Sequence, residues 1–442
     1  MGDVTRRDIL KAGVAVTAAA AAGSTLAAAG PARAATWSGK PEANASIRVL
    51  RWKQFVQGDI DAWTELTKKF VDQTGIKVRV DTESWEDIRP KAAVAANVGA
   101  GPDLIIGTND DPHKFPDKLI DMTDLATYLG EKYGGWYDVC KRYGMRGDKW
   151  IALPQGGPGA CLNYRISHMK KAGFEEFPTN TQDFLKLCQA LKKNGTPAGF
   201  ALGHATGDAN AWTHWLVWSH GGKMVDEKNN VVINSPETIA ALEYAKQLYD
   251  TFIPGTLSWQ DPSNNKAFLA GELSLTGNGI SIYTVAKNSK DEAQQAIAKD
   301  MDHAKQWPIG PVGKRTEQHL MLQAYAFKYS KYPNAVKEYL RFMWEKDEYE
   351  PWQQAANGYI TQPLTAYESN PIWTSDPKVT PFRDVLKGAL DNGYAGTLGA
   401  ASAAVIGEFV MVDMVAEAAT GSRTPKEAAE RAAERAKRYY QA

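Results

Sequence analysis

The strongest constraint on this chain is an alternation of strand and helix patterns near its beginning. Residues 47–52 alternate apolar and polar side chains as a strand does. Residues 60–73 carry Trp63, Leu66 and Phe70 at helical spacing and stop at Thr74-Gly75, and 76–80 read as a second strand. A second helix pattern covers 88–98, and Gly99-Ala100-Gly101-Pro102-Asp103 breaks the chain before a third strand at 104–107. Strands separated by single helices point to a parallel α/β sheet with helices on its faces. In such sheets ligands gather beyond the carboxyl ends of the strands, where the loops collect.

A second region of the same character follows. Residues 160–164 read as a strand. Thr181 is the expected N-cap of a helix to Lys193, with Phe184, Leu187 and Leu191 on its inner face. Residues 210–220 form an aromatic-rich helix pattern closed by Gly221-Gly222, and Ser235-Pro236-Glu237 opens another that runs to Thr251. A short helix at 264–269, a strand at 273–276 and a charged, alanine-rich helix at 425–440 complete the reading, while 36–45 looks like a loose lead-in.

The first residues carry an address. Thr5-Arg6-Arg7-Asp8 precedes an uncharged, weakly apolar run at 12–29, and Ala32-Arg33-Ala34 offers the small residues a signal peptidase reads. Residues 1–35 therefore read as a twin-arginine signal peptide, and the expected location is the periplasm. Without it, 51 basic and 51 acidic residues become 47 and 49, a balance with no basic stripe for nucleic acid. About 405 remaining residues suit two lobes or more. Three widely spaced cysteines exclude a disulfide framework, and neither they nor the seven scattered histidines show metal-ligand spacing. No cofactor or metal is expected. Gly-x-Ser-x-Gly, His-Glu-x-x-His and phosphate-loop motifs are missing from the sequence, so no catalytic residues are assigned.

Five blocks, in order, carry a family resemblance. The run 163–174 (Asn163-Tyr164-Arg165 to Gly173-Phe174) with Pro178 resembles the signature of family 1 extracellular solute-binding proteins, the maltose- and oligosaccharide-binding receptors of ABC importers. Phe70-Val71-Asp72-Gln73-Thr74-Gly75 resembles that family's first helix end, and Gly101-Pro102-Asp103 its third-strand entry. Gly221-Gly222-Lys223 with Ser235-Pro236-Glu237, and Phe268-Leu269-Ala270-Gly271-Glu272 leading to Gly277-Asn278-Gly279, resemble its later blocks. The resemblance implies a two-lobed α/β periplasmic binding protein fold of type II-like form, with the ligand cleft between lobes joined by hinge strands. One lobe is expected to hold 36–159 plus about 320–354, the other 160–313 plus about 358–442, with crossings near 158–162, 316–322 and 355–363. It also implies a monomer that captures a sugar, oligosaccharide or polyol and delivers it to an inner-membrane ABC permease.

Sugars offer apolar C–H faces and many hydroxyls, so their sites need flat aromatics and planar polar side chains in a preformed cleft. The expected strand ends supply these: Trp52 and Lys53, then Glu83 and Trp85, then Asn109, Asp110 and Asp111. In the second lobe Trp212, Trp215 and Trp218 recur every three residues, which reads as a core stripe for the last two; Trp212 and Asn210, at the helix start, are cleft candidates. Trp259 in a loop, Asn278 between two glycines and Tyr359 near the third crossing complete the set. Two alternatives remain open on these residues. Acidic side chains beside Trp85 also suit a cationic ligand such as a polyamine, and two carboxylates flanking a sugar are what an exported glycoside hydrolase uses.

Overall fold

The chain was described with a computed structural model covering residues 36–53 and 55–441; the twin-arginine segment and its cleavage region lie outside the described residues. The first sheet is built on β1 (Ser46–Trp52), whose apolar positions are buried on the sheet. It pairs in parallel with β2 (Lys77–Glu83) residue for residue, so Trp52 stands beside Glu83, and in parallel with β3 (Leu104–Thr108) on its other side. The intervening Gln57–Thr74 helix buries Trp63, Thr67 and Phe70 on one face and ends at Gly75, whose φ of 72° a glycine adopts without strain.

The sheet is mixed, where the strand–helix alternation alone predicts a parallel one. A β-hairpin of β4 (Met145–Arg146) and β5 (Lys149–Trp150) leads to β6 (Leu153–Gly156). A late strand, Leu322–Ala326 (β10), runs antiparallel to both β3 and β6, which gives the order β2-β1-β3-β10-β6. All five residues of β3 are buried because it has neighbours on both edges.

The second sheet also departs from expectation. β7 (Cys161–Arg165) lies between β8 (Leu275–Asn278) and β9 (Met301–His303), and both pairings are antiparallel. Between β7 and β8 the chain makes a long helical excursion and returns in the opposite sense. Its first helix, Thr181–Lys193, is capped one residue earlier than expected: the Asn180 side chain accepts the Asp183 N–H at 2.9 Å, while Thr181 is buried. The Asp208–Ser219 helix is buried nearly all round, and the Pro425–Tyr440 helix lays Ala428, Ala429, Ala432, Ala433 and Ala436 inward. The 36–45 lead-in is docked: Glu42 accepts the Asn334 and Ala335 N–H groups at 3.0 and 2.9 Å, capping the Pro333–Trp344 helix.

Three distant segments run together between the sheets. Gly157 and Thr361 exchange backbone hydrogen bonds of 3.2 and 2.8 Å, and the Ala160 N–H donates to His319 Nδ1 at 3.1 Å. After them, Pro363 and Thr365 bond to Tyr137 and Gly135, so this stretch lies against the first half of the chain; residues 400–407 still touch residues 110–114 before 410–440 return to the second half.

Candidate functional site

The carboxyl ends of β1, β2 and β3 open on one side of the first sheet. Trp52 closes β1, and two residues after the end of β2 a helix begins at Trp85 (Trp85–Val98). The strand register sets the two indoles side by side: they stack with centroids 4.0 Å apart and planes 21° from parallel. Phe55 meets Trp52 edge-on at 5.1 Å, and Tyr359 lies 5.9 Å from it. One helical turn after Trp85, Arg89 donates from Nε to Asp111 at 2.6 Å. Asp111 also accepts the Thr108 N–H and hydroxyl at 3.1 and 3.0 Å, so its carboxylate is fixed at the end of β3.

The second half faces these aromatics with two aspartates. Asp261 accepts the Gly207 N–H at 3.1 Å and the Asp208 N–H at 2.8 Å, setting a carboxylate against the start of the Asp208–Ser219 helix. Asp208 accepts from Asn264 Nδ2 at 2.8 Å. Burial, and then the neighbouring Asp261 charge, hold the Asp208 carboxyl well above the usual range and favour its protonated form.

Trp85 is a wall of three cavities. The widest, about 880 Å³, is lined by Trp85, Arg89, Asp111, Lys114 and Gly407 together with His204, Thr206, Gln260 and Phe409. The narrowest, about 30 Å³, separates Trp52, Phe55, Trp85 and Tyr359 from Asp208, Asp261 and Asn278. The third, about 320 Å³, is lined by Lys53, Glu83, Trp85 and Asp261 among others. Aromatic rings, fixed carboxylates and an amide thus line neighbouring openings around Trp85.

Residues 65–381 match the family described as Bacterial extracellular solute-binding protein. The chain belongs to that family. It is 24% identical over 317 residues to the diacetylchitobiose binding protein DasA of Streptomyces coelicolor, spanning 68% of this chain and 70% of that one. Among solved structures, maltose-bound MalE3 of T. maritima superposes with a TM-score of 0.75 at 19% identity, covering 89% of this chain and 99% of the other. A sugar transporter of Arthrobacter chlorophenolicus A6 with bound laminaribiose gives a TM-score of 0.77 at 17% identity over 89% and 99% of the two chains. These likenesses establish the two-lobed fold of binding proteins. No described helix of the solute-binding protein is long and apolar enough to cross a membrane.

Of the twelve residues singled out from sequence, Trp52, Lys53, Glu83, Trp85, Asp111, Asn278 and Tyr359 line these three cavities. Glu83 is also ion-paired with Lys91, and Asn278 donates to Asn264 and Asn265. The other five do not line them. Asn109, in a left-handed conformation (φ 48°), turns inward to exchange hydrogen bonds with Met321. Asp110 is fully buried and accepts from Ser402 Oγ at 2.8 Å and Asn392 Nδ2 at 3.2 Å; burial lifts its carboxyl to about 6. Asn210 donates to Thr206 O, just before the start of its helix. Trp212 packs on Phe200 and Phe252 and donates to Ala201 O at 2.6 Å, which puts it in the core with Trp215. Trp259 packs against the apolar cores. Sequence reasoning missed Arg89, Lys114, Asp208, Asp261, Gln260 and Phe409. Arg89 was within reach, since it follows Trp85 by four residues on one helix face.

Proposed function

We propose that this chain is an exported receptor that captures a sugar, oligosaccharide or polyol in the space around Trp85 and hands it to an inner-membrane ABC permease. The observation that carries the reading is the Trp52–Trp85 stack, which borders three openings that carboxylates also line. Sugar rings stack on such surfaces while fixed carboxylates and amides accept or donate to their hydroxyls. Family membership supports the receptor role, and the names of relatives that bind diacetylchitobiose, maltose and laminaribiose support the ligand class. Capture would proceed by hinge closure of the lobes, as a monomer, with export through the twin-arginine route and no catalytic step.

A thermal-shift screen of mono- to tetrasaccharides and polyols tests this. A ligand at a hundred times its Kd stabilises the native state by about 2.7 kcal/mol. A screen in which no sugar or polyol raises Tm refutes the reading. A cationic ligand such as a polyamine is the second reading, favoured by Asp208 and Asp261 facing four aromatic rings. It predicts binding that weakens strongly with salt, where a neutral sugar's does not.

A further inference from the structure

We infer that the wide cavity takes an anionic saccharide, a sugar bearing a carboxylate or phosphate, with the charged group held between Arg89 and Lys114. This rests on the saccharide reading above and adds a charge to the ligand.

The two basic side chains are built into the wall yet incompletely used. Arg89 spends Nε on Asp111 and Nη2 on Thr108 Oγ1 at 3.3 Å, which leaves Nη1 without a hydrogen bond among the described residues. Lys114 makes no hydrogen bond there, and its one ion pair, to Asp111, is long at 4.0 Å. Asp111 is already committed to two Thr108 donors and Arg89, is 2% exposed, and keeps its Oδ1 4.0 Å from Lys114 Nζ, too far for a hydrogen bond. Burial depresses the Lys114 ammonium's pKa, with the Arg89 charge adding to the effect and the carboxylates of Asp111, Asp110 and Glu408 opposing it.

The heads converge on one spot. A Cβ on Gly407 would fall 3.0 Å from Arg89 Nη1 and 3.2 Å from Lys114 Nζ, so these nitrogens lie within about 6 Å of each other beside a residue that has no side chain to fill the gap. An oxyanion spans that interval and accepts from both. Trp85 and Arg89 are about one turn, roughly 5.4 Å, apart on one helix face. A pyranose stacked on Trp85 therefore carries a ring carboxylate toward Arg89. Three other charged or titratable groups face the pair. Asp110 acts on both cations but is held by Ser402 and Asn392, Glu408 acts on Lys114 from an exposed position, and His204 is engaged by Asp413 at 2.9 Å, so none of them hydrogen-bonds Arg89 Nη1 or Lys114 Nζ among the described residues.

Calorimetry on the full chain with matched twins tests this: galacturonate oligomers against their methyl esters, and glucose 6-phosphate against glucose. At least one free anion should bind about tenfold tighter than its neutral twin at low salt, an advantage that shrinks as screening rises. Which twin shows it separates carboxylate from phosphate. Lys114→Gln should cut that ratio severalfold, and Lys114→Arg should keep it. The inference is overturned if every neutral twin binds as tightly as its anion, or if the ratio survives Lys114→Gln. If no member of any pair binds, and no sugar in the thermal screen does, the saccharide reading falls and takes this inference with it.

Discussion

Replacing Trp85 with Ala removes the one side chain that borders all three openings. One indole face lies on Trp52, so the ligand is offered the other face and the edges. Trp85 is 6% exposed, so the ligand loses one aromatic contact and not half an indole's area, about 1 kcal/mol of binding. That is about a fivefold rise in Kd. The fold loses the stack with Trp52 and the burial of a core indole, about 3–5 kcal/mol, so binding is read well below the variant's lowered Tm. Titration calorimetry with the best ligand of the thermal screen, beside a thermal melt, reads both quantities. A folded variant whose Kd stays within about threefold of the parent's contradicts the assignment of Trp85 to the ligand.

Three further outcomes follow from the buried groups. Asp208→Asn should raise Tm above neutral pH, because it removes a carboxyl that burial and Asp261 make costly to ionise, while weakening ligand binding; a lower Tm in the variant contradicts this. Asp110 ionises near 6 in the fold and near its ordinary 3.8 when unfolded, so the folded state binds its proton first. Stability should therefore climb as pH falls through about 6 toward 4 by up to about 3 kcal/mol from this group, and Asp110→Asn should flatten that slope in pH-dependent melts. Cys140, Cys161 and Cys188 are buried with thiol pKa values pushed up by desolvation, so a thiol reagent should leave all three untouched until the chain is unfolded by denaturant.

The first five elements were legible because period-2 and period-3.6 patterns followed each other with turn residues between them, and each observed element overlaps the expected one. The pairing of β10 into the same sheet was not, since nothing local to Leu322–Ala326 tells which distant strand it will border. The same limit governs the site. Residues at the ends of β1 and β2 could be placed because strand ends are local features. Asp208 and Asp261 each look like ordinary helix-start aspartates, and only the packing of two helices brings one carboxylate to the other's N–H. Trp212 shows the converse: at a helix start it resembles a cleft residue, but its helix is buried all round, so its position on the helix gave no outward face.

The most direct test of the cleft reading is a crystal structure of the protein saturated with the tightest sugar from the thermal screen. A ring should lie on the Trp85 indole, with hydroxyls bonded to at least one of Asp111, Asp208 and Asp261. A ligand bound elsewhere, or a Trp85 ring left bare beside it, contradicts it.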